Sequence, residues 1–299
     1  MGKVGDINMN NLMTTDNREI FFNVQEKELY SPDGDYAHDK KMLVREDTGS
    51  YMSVVNRKYR TVLNEEVLFP LQKQMVNHFD PVVLEDIQIK DHISKDGSVC
   101  FAEYILPKMK QTVETETGHK TDVGLRYILK NTFDGSSSVV FYGGVIDFFC
   151  TNGMIAGQYD VTRKRHTKNF SVDGFVHAFD DTIKRHHTIV EQYQRWADTR
   201  IWDSKKVIDL YRTLTKGTAD EPKRTNGLSD RLYAQYLDEI QERGKNIFSV
   251  VSALTHYSSH DDERFKLTKR GDDVTLLKRE EQVSTWLNSK VFADYLQAA

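Results

Sequence analysis

Residues 174–198 read GFVHAFDDTIKRHHTIVEQYQRWAD, and they mark the change from a strand pattern to a helical pattern in this chain. Side chains that suit a protein interior recur here every three or four residues, which places them on one face of a helix. These side chains are Phe175, Phe179, Ile183, His186, Val190, Tyr193 and Ala197. We therefore expect a long amphipathic helix over residues 175–197, capped by Ser171 or Asp173 and packed on the preceding strands.

The preceding segment, residues 83–150, has the pattern of antiparallel strands. Apolar runs at 82–93 and 98–107 flank a turn at Gly97, and runs at 123–133 and 137–150 flank a turn at residues 134–136. This spacing predicts two hairpins in one sheet, separated by the polar stretch 108–122. Gly143 and Gly144 interrupt the last strand, which indicates a bulge or a site where another backbone or a ligand approaches closely.

An additional hairpin is predicted nearer the N-terminus. Strand-like runs at Tyr51–Val55 and Tyr59–Leu63 are separated by three residues. A helix capped by Asn64 should follow, with a kink or a restart at Pro70. The first 40 residues show no regular period, and we expect an irregular N-terminal arm there.

Helical patterns dominate the chain after residue 197. The predicted helices are Ser204–Lys216, Ser229–Arg243, Ile247–Tyr257 and Glu280–Leu296, and residues 215–230 form a flexible linker between the first two. Strands followed by helices predict an α+β fold, with a sheet of at least two antiparallel hairpins packed by a long helix. The expected domains are an arm at 1–40, an α+β core at 41–216 and a helical C-terminal region at 217–299.

Composition indicates an ordinary globular protein of a reducing compartment. The chain has 299 residues, 38% of them hydrophobic, and two cysteines, Cys100 and Cys150. Residues 1–24 lack the basic start and apolar region of a signal peptide, and no apolar run is long enough to span a membrane. We therefore expect a cytoplasmic protein without membrane association.

Charge is unevenly distributed along the chain. The net charge is -4, yet residues 161–216 contain twelve Lys and Arg against seven Asp and Glu. This segment carries +5, and the rest of the chain therefore carries -9. A positive segment on an acidic body can attract an anion or a polyanion, although solvated helix faces give the same pattern.

The densest part of this positive segment, residues 163–168, reads RKRHTK. A basic cluster between a sheet and a long helix is typical of contacts to a nucleic-acid backbone. Aromatic residues near it, if exposed, would stack on bases; these are Tyr159, Phe170, Tyr193, Trp196 and Trp202, of which Phe170 and Tyr193 fit the core better. The predicted nucleic-acid-binding residues are Arg163, Lys164, Arg165, His166, Lys168, Lys184 and Arg185.

No catalytic motif or metal site is predicted. Zinc-compatible residues are present at Cys150, His166, His186 and His187, but CxxC and HExxH spacings are absent from the sequence. The acidic group at 260–263, HDDE, fits a solvated helix end better than a cation site. The sequence also lacks a GxSxG elbow, a P-loop and GxGxxG, and we predict no cofactor and lean against an enzyme.

Four stretches of this sequence resemble the successive blocks of one protein family. They are REDTGSYMSVVNRKYRTVLNEE at 45–66, DGSSSVVFYGGVIDFFCTNGM at 134–154, RKRHT at 163–167 and NIFSVVSALTHYSSHDDE at 246–263. In this order they are similar to phage- and plasmid-like proteins catalogued as domain of unknown function 932. The resemblance implies a mobile-element origin but supplies no reaction. The residues that carry it include Cys150, Asn152, Gly153, Arg165, His166, Thr167 and His260.

These observations favour a non-enzymatic accessory of replication or recombination that binds or anneals single-stranded DNA. Two strand pairs and a long helix also resemble the core of phage single-strand annealing proteins, which implies a homo-oligomer. One alternative is a factor that binds a phage or host protein through its helical half, with residues 256–263 and the acidic body as the contact surface. Another is an enzyme that uses Cys150, Asn152, Arg165 and His166, although Asn152 and Gly153 suit a simple turn.

Overall fold

The protein is an α+β fold with two antiparallel sheets and a helical C-terminal half, as the sequence predicts. The structure, a computed structural model, describes residues 18–147, 160–216, 227–264 and 273–298. The chain divides into two compact units. The first contains Met1–Met109, Arg126–Gly143 and Asp160–Ile183, and the second contains Lys110–Leu125, Gly144–Tyr159 and Lys184–Ala299. The domain boundaries expected after residues 40 and 216 remain predictions.

A three-stranded antiparallel sheet lies near the start of the first unit, with its strands in sequence order. The strands are β1 (Val24–Lys27), β2 (Lys40–Arg45) and β3 (Tyr51–Asn56). The hairpin predicted between Tyr51–Val55 and Tyr59–Leu63 is wrong, because β3 pairs with β2 and residues 57–63 form no strand. The arm also contains β1, whose mostly exposed side chains give no alternating pattern.

Helix α1 (Asn64–His78) follows, and the short helix α2 (Pro81–Leu84) comes after it. Pro70 lies inside this single helix, so the helix does not restart at Pro70. Leu63 is the N-cap residue, and its backbone N–H donates to Glu66 Oε1 at 2.9 Å. Asn64 does not cap the helix; its buried side chain instead donates to the carbonyl of Ile20 at 2.8 Å.

A five-stranded antiparallel sheet has its strands in sequence order. They are β4 (Gln88–Ile93), β5 (Val99–Glu114), β6 (Lys120–Thr132), β7 (Val139–Asp147) and β8 (Asp160–Lys164). Both predicted hairpins, β4–β5 and β6–β7, are confirmed. Residues 148–150 of the last predicted strand lie outside the described residues. The basic cluster begins in β8, which is an edge strand of this sheet.

The sequence suggested that the polar stretch 108–122 separates the two hairpins, but in the structure this stretch connects them. It forms the end of β5, a turn with Gly118 at φ 80°, and the start of β6. Lys110 and Asp122 form an ion pair of 2.6 Å across this extension, while Val113 is buried in a hydrophobic core. The alternation of one buried position with charged neighbours made this strand region look like a loop.

Helix α3 (Asp173–Asp198) confirms the predicted long helix. Six of the seven predicted inward residues are buried, and Ile183 is half-buried. In the first unit, the ring of Phe179 lies 4.6 Å from that of Tyr127 in β6. Asp180 accepts a hydrogen bond of 2.8 Å from Gln74 of α1. The first part of α3 is therefore fixed against both the sheet and α1.

Gly143 of β7 lies at a site of close approach, but the group that approaches it is a side chain of α3 and not the backbone or ligand that the sequence suggested. A Cβ at this glycine would lie 2.2 Å from Oγ1 of Thr182 in α3, well inside van der Waals contact. The Thr182 hydroxyl is itself fixed, because it donates to the carbonyl of Ala178 at 2.8 Å. A side chain at residue 143 would push α3 away from β7.

The second unit contains the remaining helices, which surround a core of apolar side chains. They are α4 (Ser204–Thr215), α5 (Leu228–Arg243), α6 (Ile247–Arg264), α7 (Asp273–Leu287) and α8 (Lys290–Ala298). The single helix predicted over Glu280–Leu296 is thus divided in two, at residues 288–289. Within the described residues, no helix has the length and apolar character to cross a membrane.

Candidate nucleic-acid interface

The structure joins two basic segments that are about a hundred residues apart in sequence. Residues 56–60 read NRKYR, and residues 163–168 read RKRHTK. The backbone N–H of Arg60 donates to the carbonyl of His166 at 3.1 Å, and His166 Nδ1 lies 3.2 Å from the carbonyl oxygen of Arg60. We call these two joined segments the basic junction. Both belong to the first unit.

His166 is an internal residue of the basic junction. Its side chain is buried, and its ring stacks on that of Tyr59 at 4.5 Å. Burial lowers the pKa of the imidazole to about 4, because the charged form would lose hydration. The ring is therefore neutral at pH 7, and Nδ1 must carry its proton to donate to the Arg60 carbonyl. The phosphate contact predicted for His166 does not suit a buried neutral ring, and His166 is not part of the exposed surface.

Arg60 connects the junction to the elements around it. Its guanidinium donates to the carbonyl of Phe170 at 3.0 Å and to Glu66 of α1 at 2.7 Å. The same group lies 5.4 Å from the centre of the Phe170 ring. Tyr59 adds a hydrogen bond of 2.7 Å from its hydroxyl to the carbonyl of Thr132 in β6. Arg60 and Tyr59 thus hold the position of the exposed basic side chains beside them.

Five cations of the basic junction are exposed. They are Arg57, Lys58, Arg163, Arg165 and Lys168. Lys164 differs, because its side chain is half-buried against the first turn of α3, where a Cβ at Gly174 would lie 2.6 Å from Lys164 Cε. Thr167 is exposed, and its backbone N–H donates to the carbonyl of Arg165 at 2.9 Å. Five of the seven cations in the two segments therefore face solvent.

Two tyrosines lie beside the basic junction. The guanidinium of Arg57 lies 5.1 Å from the ring centre of Tyr36, and that ring lies 5.4 Å from the ring of Tyr30. Tyr30 is 55% exposed. Glu28 is the nearest acidic partner, with 3.8 Å between its carboxylate and Arg57, and both side chains are largely exposed. The sequence does not predict this pair, because both tyrosines lie in the N-terminal arm that is expected to be irregular.

The other aromatic candidates have different surroundings. Tyr193 and Trp196 are buried in the core of the second unit, and Phe170 is half-buried under Arg60. Trp202 is 78% exposed, and the guanidinium of Arg200 lies 4.7 Å from its ring centre. Phe170 and Tyr193 thus have the packing roles expected for them.

Lys184 and Arg185 belong to the second unit, where Lys184 is exposed and Arg185 half-buried. Their nucleic-acid role remains a prediction. Cys150, Asn152, Gly153 and Tyr159 lie outside the described residues, as does the side chain of His260. The remaining cysteine, Cys100, is a buried strand residue whose pKa is raised to about 12 by burial. A thiol with that pKa is not a nucleophile at neutral pH.

A buried ionic cluster in the second unit was not predicted from the sequence. The side chain of Arg243 at the end of α5 is fully buried, 3.1 Å from Asp147 of β7 and 2.9 Å from Glu239. Asp147 also accepts a short hydrogen bond from Thr121 of β6. Burial raises the pKa of Glu239. The cluster joins α5 to β6 and β7 through Thr121 and Asp147. In the sequence, Asp147 comes three residues before Cys150.

Metal ligands do not gather in the described part of the chain. No group of three or more His, Cys, Asp or Glu residues there has a geometry that would hold a metal ion. His186, one of the zinc-compatible residues, is buried in α3, and burial lowers its pKa to about 4. The adjacent His187 is exposed, 3.3 Å from Glu191. These two histidines do not form a common site.

The fold and the basic junction define an α+β protein with a positively charged surface near the exposed Tyr30 and the half-buried Tyr36. The model of the family described as domain of unknown function (DUF932) matches residues 51–285, and the chain belongs to that family. This match includes both basic segments in full. No curated protein and no solved structure gives a significant match.

Proposed function

We propose that this protein binds single-stranded nucleic acid through the basic junction, as a non-enzymatic accessory of replication or recombination. One observation carries the proposal: the fold joins a second basic segment, residues 56–60, to the predicted one at 163–168. Together the two segments contain seven Lys and Arg and no Asp or Glu. A cluster of exposed cations is the feature that a phosphate backbone requires.

The geometry of the junction favours a binding surface over a set of independent solvated charges. Backbone hydrogen bonds between Arg60 and His166 fix the segments, and the stacked Tyr59 ring shields one side of that link. The exposed cations are thereby held by a rigid scaffold, which reduces the entropy lost when a ligand binds. If all five contacted phosphates, the slope of log affinity against log salt would be about -3.5 for a single strand.

The tyrosine pair supports a single strand over a duplex. Base stacking on exposed aromatic rings is available to unpaired bases, whereas a duplex hides the faces of its bases. Tyr30 is exposed and packs on Tyr36, which in turn lies under Arg57 of the junction. A strand whose phosphates follow the junction can place a base on this pair.

Binding is tested by fluorescence anisotropy with labelled oligothymidylate and with a duplex of the same length, at about 50 and about 200 mM salt. We expect saturable binding of the single strand that weakens as salt rises, with a lower affinity for the duplex. A Tyr30→Ala variant should weaken single-strand binding and leave the salt slope unchanged, because it removes stacking and no charge. Equal affinity for both ligands would contradict the single-strand proposal. Absence of any binding would contradict a nucleic-acid function.

A second candidate is binding of a phage or host protein through the helical C-terminal half. Its supporting observation is Trp202, whose large apolar ring is 78% exposed beside Arg200. Exposed tryptophan and arginine side chains are common at the centres of protein interfaces. Capture of a partner that is insensitive to nuclease and lost in Trp202→Ala would favour this function.

Three further proposals accompany the nucleic-acid function. The family resemblance supports an origin in a phage or plasmid, the composition supports a location in the host cytoplasm, and the likeness to annealing proteins supports assembly into a homo-oligomer. Oligomeric state is measured by light scattering with and without oligonucleotide. A strictly monomeric protein in both conditions would argue against an annealing type of assembly.

A further inference from the structure

The second unit contains a cavity of about 280 Å³ that is separate from the residues of the basic junction. It is lined by the second half of α3, the end of α7 and helix α8. Small-molecule sites in proteins begin at about this size. Its apolar lining includes Ile189, Tyr193, Trp196, Leu287, Phe292 and Leu296.

The apolar walls of the cavity are well fixed. Ile189, Trp196 and Phe292 are buried members of one hydrophobic core. The rings of Trp196 and Phe292 meet edge to face at 6.0 Å, and Trp196 packs on Tyr193 in the same way at 5.2 Å. A cavity with fixed aromatic walls is preformed, so a ligand need not reorganise them.

The charged side chains of the cavity are positive, and its other polar side chains are the neutral Thr188, Gln192 and Asn288. Arg185 and Arg195 line it, and the described lining residues include no Asp or Glu. Arg195 is exposed and donates to the side chain of Gln192 at 2.9 Å, which holds its guanidinium near Gln192. An anionic group is therefore the complement of this part of the cavity.

We infer that this cavity binds an amphipathic carboxylate, with its apolar part against Ile189, Phe292 and Leu296 and its carboxylate paired with Arg195. The two features act together: the walls favour an apolar body, and Arg195 favours an anionic oxygen. This proposal does not depend on the proposed nucleic-acid function, so an experiment can contradict one of them without affecting the other.

The test is a calorimetric titration of the full-length protein with sodium decanoate, with 1-decanol and sodium acetate as separate probes. Decanoate should bind saturably and change the tryptophan fluorescence of the protein, because Trp196 lines the cavity. Decanol has the apolar chain without the charge, and acetate has the charge without the chain. Both should bind at least about tenfold more weakly, because each loses one of the two features.

Two variants locate the site. Arg195→Gln should weaken decanoate binding at least about tenfold and leave decanol binding unchanged. Arg212→Gln, on an exposed side chain of α4, removes the same charge and should change neither. Leu296→Trp fills the cavity from a half-buried position and should abolish binding of decanoate.

Circular dichroism establishes that each variant is folded, and a Leu296→Ala variant provides a cavity-enlarging comparison if the tryptophan is not tolerated. Leu296→Ala should still bind decanoate, with affinity that changes by less than the loss in Arg195→Gln. The inference is overturned if decanoate and decanol bind equally, if Arg195→Gln and Arg212→Gln have the same effect, or if folded protein binds no decanoate.

Discussion

Arg60 and His166 form a reciprocal pair in which each residue contacts the backbone of the other. The Arg60 N–H donates to the His166 carbonyl at 3.1 Å, and the His166 imidazole donates from Nδ1 to the Arg60 carbonyl at 3.2 Å. One of these contacts uses only backbone atoms, while the other requires a proton on Nδ1, and burial keeps the ring that donates it neutral. The pair makes the basic junction a structural unit, so its stability depends on the protonation of His166.

The free energy of unfolding should therefore decrease at acidic pH, in part because His166 becomes protonated. The pKa of this imidazole is about 4 in the folded protein and 6.5 as a reference value, so the unfolded state binds a proton first. The stabilisation is fully present above pH 6.5 and is lost as the pH falls towards 4, by at most roughly 3 kcal/mol. A His166→Asn variant keeps a donor and cannot titrate in this range.

Urea unfolding of both proteins between pH 7 and pH 4.5 measures this contribution. We expect a smaller loss of the free energy of unfolding in His166→Asn than in the wild type. His186, whose pKa is also lowered to about 4, and the carboxylates remain in both proteins, so their effects cancel in the difference. Parallel curves for the two proteins would show that His166 is not a source of acid sensitivity.

The contact between β7 and α3 predicts a steric effect at Gly143. Gly143→Ala places a Cβ 2.2 Å from Thr182 Oγ1, and we expect a loss of about 1–3 kcal/mol in the free energy of unfolding. Thr182→Ala removes the oxygen and the methyl group that clash, although its own Cβ, 2.9 Å away, remains close. The double variant should therefore recover part of the loss.

A double-mutant cycle by urea unfolding checks this contact, because only coupled residues give a non-zero interaction energy. Thr182→Ala alone serves as the control, since it also loses the hydrogen bond to Ala178. Additive effects of the two substitutions would show that the clash is relieved elsewhere.

The helices and strands that are predictable from the sequence are those whose apolar side chains recur at a regular spacing. Elements without such a spacing are not predicted. The α3 face from Phe175 to Ala197 has a clear helical period, and the structure buries nearly all of it. By contrast, β1 has mostly exposed side chains, and its pairing with β2 depends on backbone hydrogen bonds that leave no apolar pattern. Tyr59 begins a run whose pattern predicts a strand, whereas its ring stacks on His166 in the structure.

The residues of the candidate site also fall into two groups, those that the sequence predicts and those that only the fold brings to the site. Exposed Arg163, Arg165 and Lys168 suit the proposed surface that their charge predicted. Arg57 and Lys58 join them only through a contact between distant segments, which a single sequence does not reveal. The same limit applies to Asp147 and Arg243, which are nearly a hundred residues apart and meet only in the folded second unit.

The buried cluster of the second unit should be sensitive to the loss of one member. Arg243→Met leaves Asp147 and Glu239 without their buried cation, and we expect a loss of about 3–5 kcal/mol in the free energy of unfolding. A second substitution, Asp147→Asn, removes one of the two stranded charges. The double variant should be more stable than Arg243→Met alone.

Thermal and urea unfolding of the single and double variants measure this effect. Arg231→Met, a half-buried position near the start of α5, is the control for loss of an arginine from this helix. A double variant less stable than either single variant would indicate that Asp147 is held by groups other than Arg243, such as Thr121.

The final prediction concerns the charges of the basic junction. Replacement of Arg163, Arg165 and Lys168 by alanine removes three exposed cations, and exposed charges contribute little to stability. Folding should therefore be nearly unchanged, while the affinity for single-stranded DNA falls. If all three contact phosphates, the slope of log affinity against log salt should shrink by about two units, at roughly 0.7 per contact. The measurement is an anisotropy titration at several salt concentrations.

A matched control separates local contacts from net charge. The control replaces Lys73, Lys95 and Lys108 by alanine. It removes the same number of positive charges, three, from exposed positions of the first unit that are outside the junction. This control should retain the salt slope of the wild type, because these lysines contact no phosphate, and lose only a little affinity through the weaker long-range field. If both triple variants lose the same affinity and slope, the attraction is a property of the whole charge distribution, and the basic junction is not the binding surface.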